Sequence, residues 1–286
     1  MTCWQMRGGV MDRLDLRLFN INYSVFTDVA EAQRQLQLAF TVKPHSPTGL
    51  PRSLTLKQHS SDTTRYSLWY EDVFQCDFSD QHAAVRQLEH SLLQRAVRED
   101  FGLTIFHAAW LEKRNIAVLL VGGSNSGKTR LGVELVNRGF RLGSDEATAL
   151  NNRSGFLLPF YRNFLLKPPF SAAEASRIEA GSATGDDRYY LKPAGSPPAW
   201  AAPGPYLLKF VFLRPGGAEQ KNASLRPLAV EESLGQLLQN CFNLRQIDQT
   251  AFRRIVRRLD PACAWELAYS ELGEAADLIS QLGSEP

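Results

Sequence analysis

The stretch VGGSNSGKTRLGVELVNRGFRLGSDE, Val121 to Glu146, decides how this chain is read. Within it, Gly122-Gly123-Ser124-Asn125-Ser126-Gly127-Lys128-Thr129 satisfies the pattern G-x-x-x-x-G-K-[ST]. The flanks give the pattern its meaning. The apolar run NIAVLLV before it reads as a buried strand. TRLGVELVNRG after it reads as a short helix closed by Gly139, a residue type suited to the left-handed position past a helix end. Between strand and helix, glycines let successive backbone N–H groups face one anion, and the helix points its positive end at the same place. Lys128 is then expected to reach the β- and γ-phosphates of a nucleotide, and the Thr129 hydroxyl to ligate Mg²⁺. The duller alternatives are a glycine-rich turn that happens to hold a lysine, and a site that binds nucleotide without chemistry.

Asp145 and Glu146 follow Lys128 by 17 and 18 positions, at the end of a strand predicted within FRLGSDEATAL. One helix and one strand after the loop, they are expected beside it. Two adjacent acids offer two roles, one helping to hold the metal while the other accepts a proton from an attacking hydroxyl. A free Asp, with a pKa of about 4, is a weak base at neutral pH. It still serves if it is positioned on the hydroxyl, because phosphoryl transfer depends mainly on alignment and charge stabilisation. The alternative is an exposed acidic turn. His107 lies 21 positions before Lys128, on the strand preceding the loop strand. If those strands pair, His107 approaches the loop; otherwise it is a satisfied core histidine in an apolar run.

The rest of the chain bounds the reading. At 286 residues it holds one large domain, or one domain with a smaller companion. Hydrophobic residues at 44% and charged residues at 22% describe a globular chain rather than a disordered one. A net charge of +2 gives no reason to expect a nucleic acid or a membrane as partner. The basic run RRIVRR, Arg253 to Arg258, reads as a solvated helix face. Cys3, Cys76, Cys241 and Cys263 are scattered without a CxxC, which speaks for free thiols in a reducing cytosol rather than zinc or disulfides. The N-terminus lacks the apolar centre of a signal peptide, and no apolar run approaches the roughly 20 residues of a membrane span. A cytoplasmic protein is expected, with Met11 an alternative start and the first ten residues a disordered extension.

Residues 14–28 alternate as one or two strands, and residues 29–40 carry helical spacing at Val29, Leu36 and Phe40. Short strands are predicted in SLTLKQH and RYSLWYEDVFQCDF. A helix follows over 79–100, with Val85, Leu88, Leu92 and Val97 on one stripe. From Gly102 the texture becomes that of an α/β domain: two buried strands turning at Lys113-Arg114, the loop and its helix, then further strands and helices to the end. Residues 171–205, rich in Ala, Ser, Gly and Pro, read as a mobile loop in which Asp186 and Asp187 are solvated charges. The organisation expected is a small α+β region over 1–100, substrate-binding or bracing, and an α/β domain over 101–286.

At this point FHAAWLE, GGSNSGKT, ELVNRGFRL, SDE and LLPFYRNFLLK, at their spacings, resemble the catalytic domain of HPr kinase/phosphorylase. They are closer still to the shorter HPr-kinase-related kinases. The strong similarity covers about 105–168, and FVFLRP with LAYSELGEAADLI extends it more weakly to the end. The resemblance implies a P-loop kinase domain of the HPr kinase/phosphoenolpyruvate carboxykinase type that uses ATP and Mg²⁺ to phosphorylate a hydroxyl. Asp145 falls on the family's catalytic base and Glu146 on its second acid. His107, Lys128 and Thr129 fall on its other active-site positions. Arg162 and Lys167 are candidates for holding the acceptor or the transferring phosphate, since cations there stabilise spreading charge; a surface loop is the alternative. The signature stretch after the acidic pair has no counterpart, so phosphorolysis is not implied. The regulatory N-terminal domain has none either, so HPr need not be the substrate. The acceptor expected is the Ser or Thr hydroxyl of a protein or peptide, such as a biosynthetic precursor peptide, or a small hydroxylated molecule. A homo-oligomer is left open. A nucleotide-binding regulatory module with little turnover and an ATPase acting on water are the competing readings. A carboxykinase would need further metal-binding His and Lys positions that are not found.

Overall fold

The computed structural model describes residues 11–41, 50–176, 178, 189–194, 200–215, 222–259 and 261–282. Its N-terminal third is built on a small sheet. β1 (Asp12–Leu18) and β2 (Ile21–Thr27) form an antiparallel hairpin. α1 (Ala30–Ala39) returns the chain to β3 (Arg52–Gln58), parallel to β2. β4 (Tyr66–Tyr70) and β5 (Val73–Phe78) then complete an antiparallel run in the order β1-β2-β3-β4-β5. α2 (Gln81–Glu99) starts where Asp80 accepts a hydrogen bond from Ala83 N at 2.6 Å, satisfying one of the donors a helix start leaves open. It turns Val85, Leu88, Leu92 and Val97 inward, as their spacing requires.

The second sheet carries the loop. β6 (Leu103–Lys113) and β7 (Ile116–Val121) are antiparallel and joined by Arg114 and Asn115, at φ 52° and 67°. The turn therefore lies one residue beyond the predicted Lys113-Arg114, with both central residues left-handed, as tight hairpins favour. After α3 (Lys128–Asn137), the segment read as one strand is two, β8 (Arg141–Ser144) and β9 (Ala147–Asn151). Both pair with β6, and the ladder breaks at Asp145-Glu146. Ser144 Oγ causes the break to hold: it accepts the N–H groups of Glu146 (3.2 Å) and Ala147 (3.0 Å), which would otherwise need a strand partner. The acids thus follow directly on the end of β8, as expected, in the gap before a second strand begins.

β10 (Leu157–Leu158), β11 (Phe164–Leu166), α4 (Ala172–Ala175) and β12 (Tyr189–Leu191) follow, β12 pairing with β11. β13 (Leu207–Pro215), β14 (Ser224–Pro227), α5 (Val230–Gln239), α6 (Gln249–Val256), β15 (Ala264–Tyr269) and α7 (Leu272–Leu282) end the chain. The large sheet runs β10-β9-β6-β7-β13-β15-β14 with β8 beside β6, and β7, β13 and β15 are parallel neighbours. The fold is mixed α/β. β14 was not predicted: it is four mostly exposed residues, SLRP, with one apolar side chain and a closing Pro.

The core does not stop where the sheets change. Leu88 and Leu92 of α2 and Leu36 of α1 share one buried cluster with Leu103 and Ile105 of β6, Ala147 and Ala149 of β9, and Phe160. Within 171–205, read as a mobile loop, the described residues include α4, β12 and the buried Tyr190, Leu191 and Trp200. Asp186 and Asp187 lie outside the described residues, as do Cys3 and the rest of the first ten. Cys76 and Cys241 are free thiols. Of the basic run, Arg253 and Arg257 face solvent, whereas Arg254 and Arg258 donate to the carbonyls of Asn152 and Gly155. Among the described residues no helix is long and apolar enough to cross a membrane.

The bulge that prepares the gap depends on Gly143. Leu111 faces Leu142 and Trp110 faces Ser144, so Gly143 is the extra residue, and a Cβ there would lie 2.0 Å from the fully buried Trp110 ring. Gly143→Ala is expected to lower the unfolding free energy by about 2–3 kcal/mol in urea titration. Gly235→Ala on the open face of α5, where a Cβ meets nothing within 4 Å, is expected to leave it equal or raise it slightly.

Candidate functional site

β7 delivers the chain to the glycine loop and α3 begins at Lys128, so the strand–loop–helix context predicted for Gly122–Thr129 is present. Asn125 and Gly127 take left-handed φ values of 63° and 91°, which turn the loop back on itself. Gly127 is constrained twice. Besides its φ, a Cβ would lie 2.1 Å from the Tyr269 hydroxyl, which donates to Ser126 O at 3.0 Å. Lys128 is buried and curls under the loop, donating from Nζ to Gly122 O (2.6 Å) and Gly123 O (2.9 Å). Burial pushes its pKa down, while Asp145 and Glu146 oppose that.

The acids come to the loop as predicted. Thr129 Oγ1 donates to Asp145 Oδ2 at 3.1 Å. Asp145 Oδ1 is buried and has no hydrogen-bond partner among the described residues. Burial pushes this carboxyl up to about 6; Arg162 works against the rise and Glu146 adds to it. A hydroxyl and two carboxylates, one with an unused oxygen, make the oxygen donor set that hard divalent cations prefer.

Arg162 is no surface residue. Its buried guanidinium donates from Nε (2.9 Å) and Nη2 (2.6 Å) to Glu89 Oε1, and from Nη1 to Glu146 Oε2 (2.6 Å). Burial works to lower its pKa, and the Glu89 and Glu146 carboxylates more than offset this, holding it well above the ordinary value. Tyr190 donates to the other Glu89 oxygen at 2.5 Å. His107 pairs with Ala147 of β9 on one edge and donates its N–H to Asn240 O on the other, one residue before Ala108 meets Val121 at the end of β7, beside the start of the loop and the acids. Its ring is half-buried, 5.3 Å from Phe242 at a 32° tilt, and its pKa is lowered by burial and then by Lys128. Lys167 is exposed at the rim, with Nζ 3.4 Å from Asn125 Oδ1.

All the predicted residues therefore gather at one end of β7. Three that complete the arrangement were not singled out from sequence. Glu89 sits on a helix whose apolar stripe drew the attention, Tyr190 lies in the segment read as a loop, and Tyr269 ends a strand.

No family model and no curated protein matches the chain. Among solved structures, the HPr(Ser) kinase/phosphatase from Coxiella burnetii is similar at 15% identity with a TM-score of 0.30, over 64% of this chain and 99% of that one. The chemistry of the site rests on the contacts above.

Burying Asp145 has a consequence for stability. Its folded pKa of about 6 exceeds the ordinary 3.8, so the folded state binds the proton more tightly. The penalty of the buried charge is full above pH 6 and is relieved as the pH falls from 6 towards 4. Asp145→Asn can still accept from Thr129 and carries no charge. In metal- and nucleotide-free protein it is expected to be more stable than wild type at pH 8, by on the order of 2–3 kcal/mol. The difference should shrink steadily in denaturation curves taken between pH 6 and pH 4.

Proposed function

We propose that the chain is an ATP-dependent phosphotransferase that passes the γ-phosphoryl group to a hydroxyl, foremost the Ser or Thr hydroxyl of a protein or peptide. The observation that carries this reading is Asp145: a buried carboxylate beside the glycine loop, anchored through one oxygen on Thr129 and with its other oxygen unused. An Asp with its pKa raised to about 6 is a better proton acceptor at neutral pH than a free one. Asp145 Oδ1 is thus the atom assigned to orient the acceptor hydroxyl and take its proton.

The remaining residues take roles that follow from their positions. Backbone N–H groups of Gly122–Thr129 and the start of α3 would hold the phosphates. Lys128, which needs only to exchange two loop carbonyls for phosphate oxygens, would bind the β- and γ-phosphates. Thr129, Glu146 and Asp145 fit Mg²⁺, which when bound would neutralise charge on the transferring group. His107 would line the same end of the site, and the exposed Lys167 would meet the acceptor or the phosphates at the rim. A second reading, a nucleotide-binding regulatory module with little turnover, draws support from the internal engagement of Lys128 by loop carbonyls and of Arg162 by Glu89 and Glu146.

The two readings separate in one experiment with γ-labelled ATP, Mg²⁺ and candidate acceptors, among them Ser- and Thr-containing peptides and free serine. Wild type is expected to label a hydroxyl. Asp145→Asn should reduce labelling by 10²- to 10⁴-fold, the usual weight of a general base, with ATP binding kept. Lys128→Ala should lose ATP binding itself. Normal transfer by Asp145→Asn would remove the assigned base. ATP binding without any labelled acceptor would favour the regulatory module, and phosphate release that no acceptor suppresses would favour an ATPase.

A further inference from the structure

Arg162 links the glycine-loop acids to the N-terminal third of the chain, and the two ends of that link are unequal. On one side Glu89 of α2 takes two guanidinium N–H groups on Oε1, while its Oε2 accepts from Tyr190. Both of its oxygens are engaged and its side chain is largely buried. On the other side Glu146 holds a single guanidinium N–H, and about a third of its side chain (35%) is exposed.

The backbone around Arg162 is pinned as well, again by the N-terminal third. Arg162 forms a bridge with Phe40, Thr41 N donates to Tyr161 O (2.8 Å), and Asn163 donates from N to Ala39 O (2.7 Å) and from Nδ2 to Leu38 O (2.7 Å). If the Arg162–Glu146 contact opens, Arg162 stays and Glu146 moves.

We propose that Glu89 is a positioning residue of the site: it anchors Arg162 so that Glu146 can exchange from the guanidinium to a divalent cation carried in with the nucleotide. This rests on the reading that the loop binds nucleotide with Mg²⁺. The physics lies in charge compensation. A buried guanidinium needs a counter-ion, and with Glu89 in place it keeps one after Glu146 leaves. Without Glu89, the departure of Glu146 would strand a buried positive charge, so Arg162 would compete with the cation for Glu146. The N-terminal third therefore acts on metal loading from α2, without itself touching nucleotide or metal.

The test measures binding of a non-hydrolysable ATP analogue, adenylyl imidodiphosphate, by titration calorimetry over a series of Mg²⁺ concentrations. Wild type is expected to bind more tightly as Mg²⁺ rises. In Glu89→Gln, which keeps the shape and an acceptor for Tyr190, the Mg²⁺ needed for half of that gain should rise about tenfold. Its metal-free affinity should not weaken. Adding Arg162→Gln to Glu89→Gln removes the competing charge and should bring the Mg²⁺ requirement back towards wild type. If Glu89→Gln does not fold, Tyr190→Phe frees one Glu89 oxygen and should shift the requirement in the same direction by less.

A wild-type Mg²⁺ requirement in Glu89→Gln overturns the proposal. So does an equal loss of metal-free and metal-supported binding, which marks a purely structural role, and so does a double variant that fails to recover. Wild type that does not bind the analogue at any Mg²⁺ concentration overturns the nucleotide reading, and the proposal with it.

Discussion

The site depends on the hydrogen bonds that β6 makes along both of its edges. On one edge, Ala108 to Lys113 pair with β7; before that point the same edge is taken by the chain after α5, where His107 N donates to Asn240 O and Phe242 N to Ile105 O. On the other edge β6 pairs with β8 and β9, across the gap that holds Asp145 and Glu146. A strand has only two edges, so whatever pairs with it is fixed in register with everything else that does. One eleven-residue strand thereby fixes the start of the glycine loop, the acids, His107 and Phe242 relative to one another.

Local structure at the site runs against stability, and the surrounding core makes that tolerable. Asp145 is a charged group in a buried gap, Gly127 is left-handed beneath a tyrosine, and Gly143 bulges over a tryptophan. Each departs from what a core built only for stability would choose, and such departures concentrate where chemistry is done. Around them β7 is buried along its whole length, and α3 and α7 share a core with it. The strain is held by long-range packing rather than by the loop itself.

That division explains what could be read from the sequence. The loop, its strand and its helix are consecutive, so their period and spacing were visible, and the distance from Lys128 to Asp145 followed from counting one helix and one strand. The hairpin turn was misplaced by one residue because Lys113 still pairs with Ile116. The gap in the strand was missed because a side chain makes it: Ser144 Oγ satisfies two N–H groups, and nothing in FRLGSDEATAL announces that. Glu89 and Arg162 are 73 residues apart, and Tyr269 and Ser126 are 143 apart. Periodicity within one helix or strand carries no information about partners at such separations. Arg162 could be flagged as a cation near a glycine loop, but its counter-ion lay on a helix that reads as ordinary amphipathic structure.

The charges gathered here also bear on what the loop can accept. Lys128 and Arg162 supply two positive charges, and Glu89 and Glu146 balance them before Asp145 is counted. Near pH 7 Asp145, with its pKa at about 6, is mostly ionised and tips the cluster negative. A bare polyphosphate entering that surrounding meets two carboxylates at close quarters in a poorly screened environment, where like charges repel strongly. A divalent cation would find oxygen ligands in the same carboxylates. On the proposed nucleotide reading, the excess of acid would weaken binding of the polyphosphate alone and favour a polyphosphate that brings a divalent cation with it.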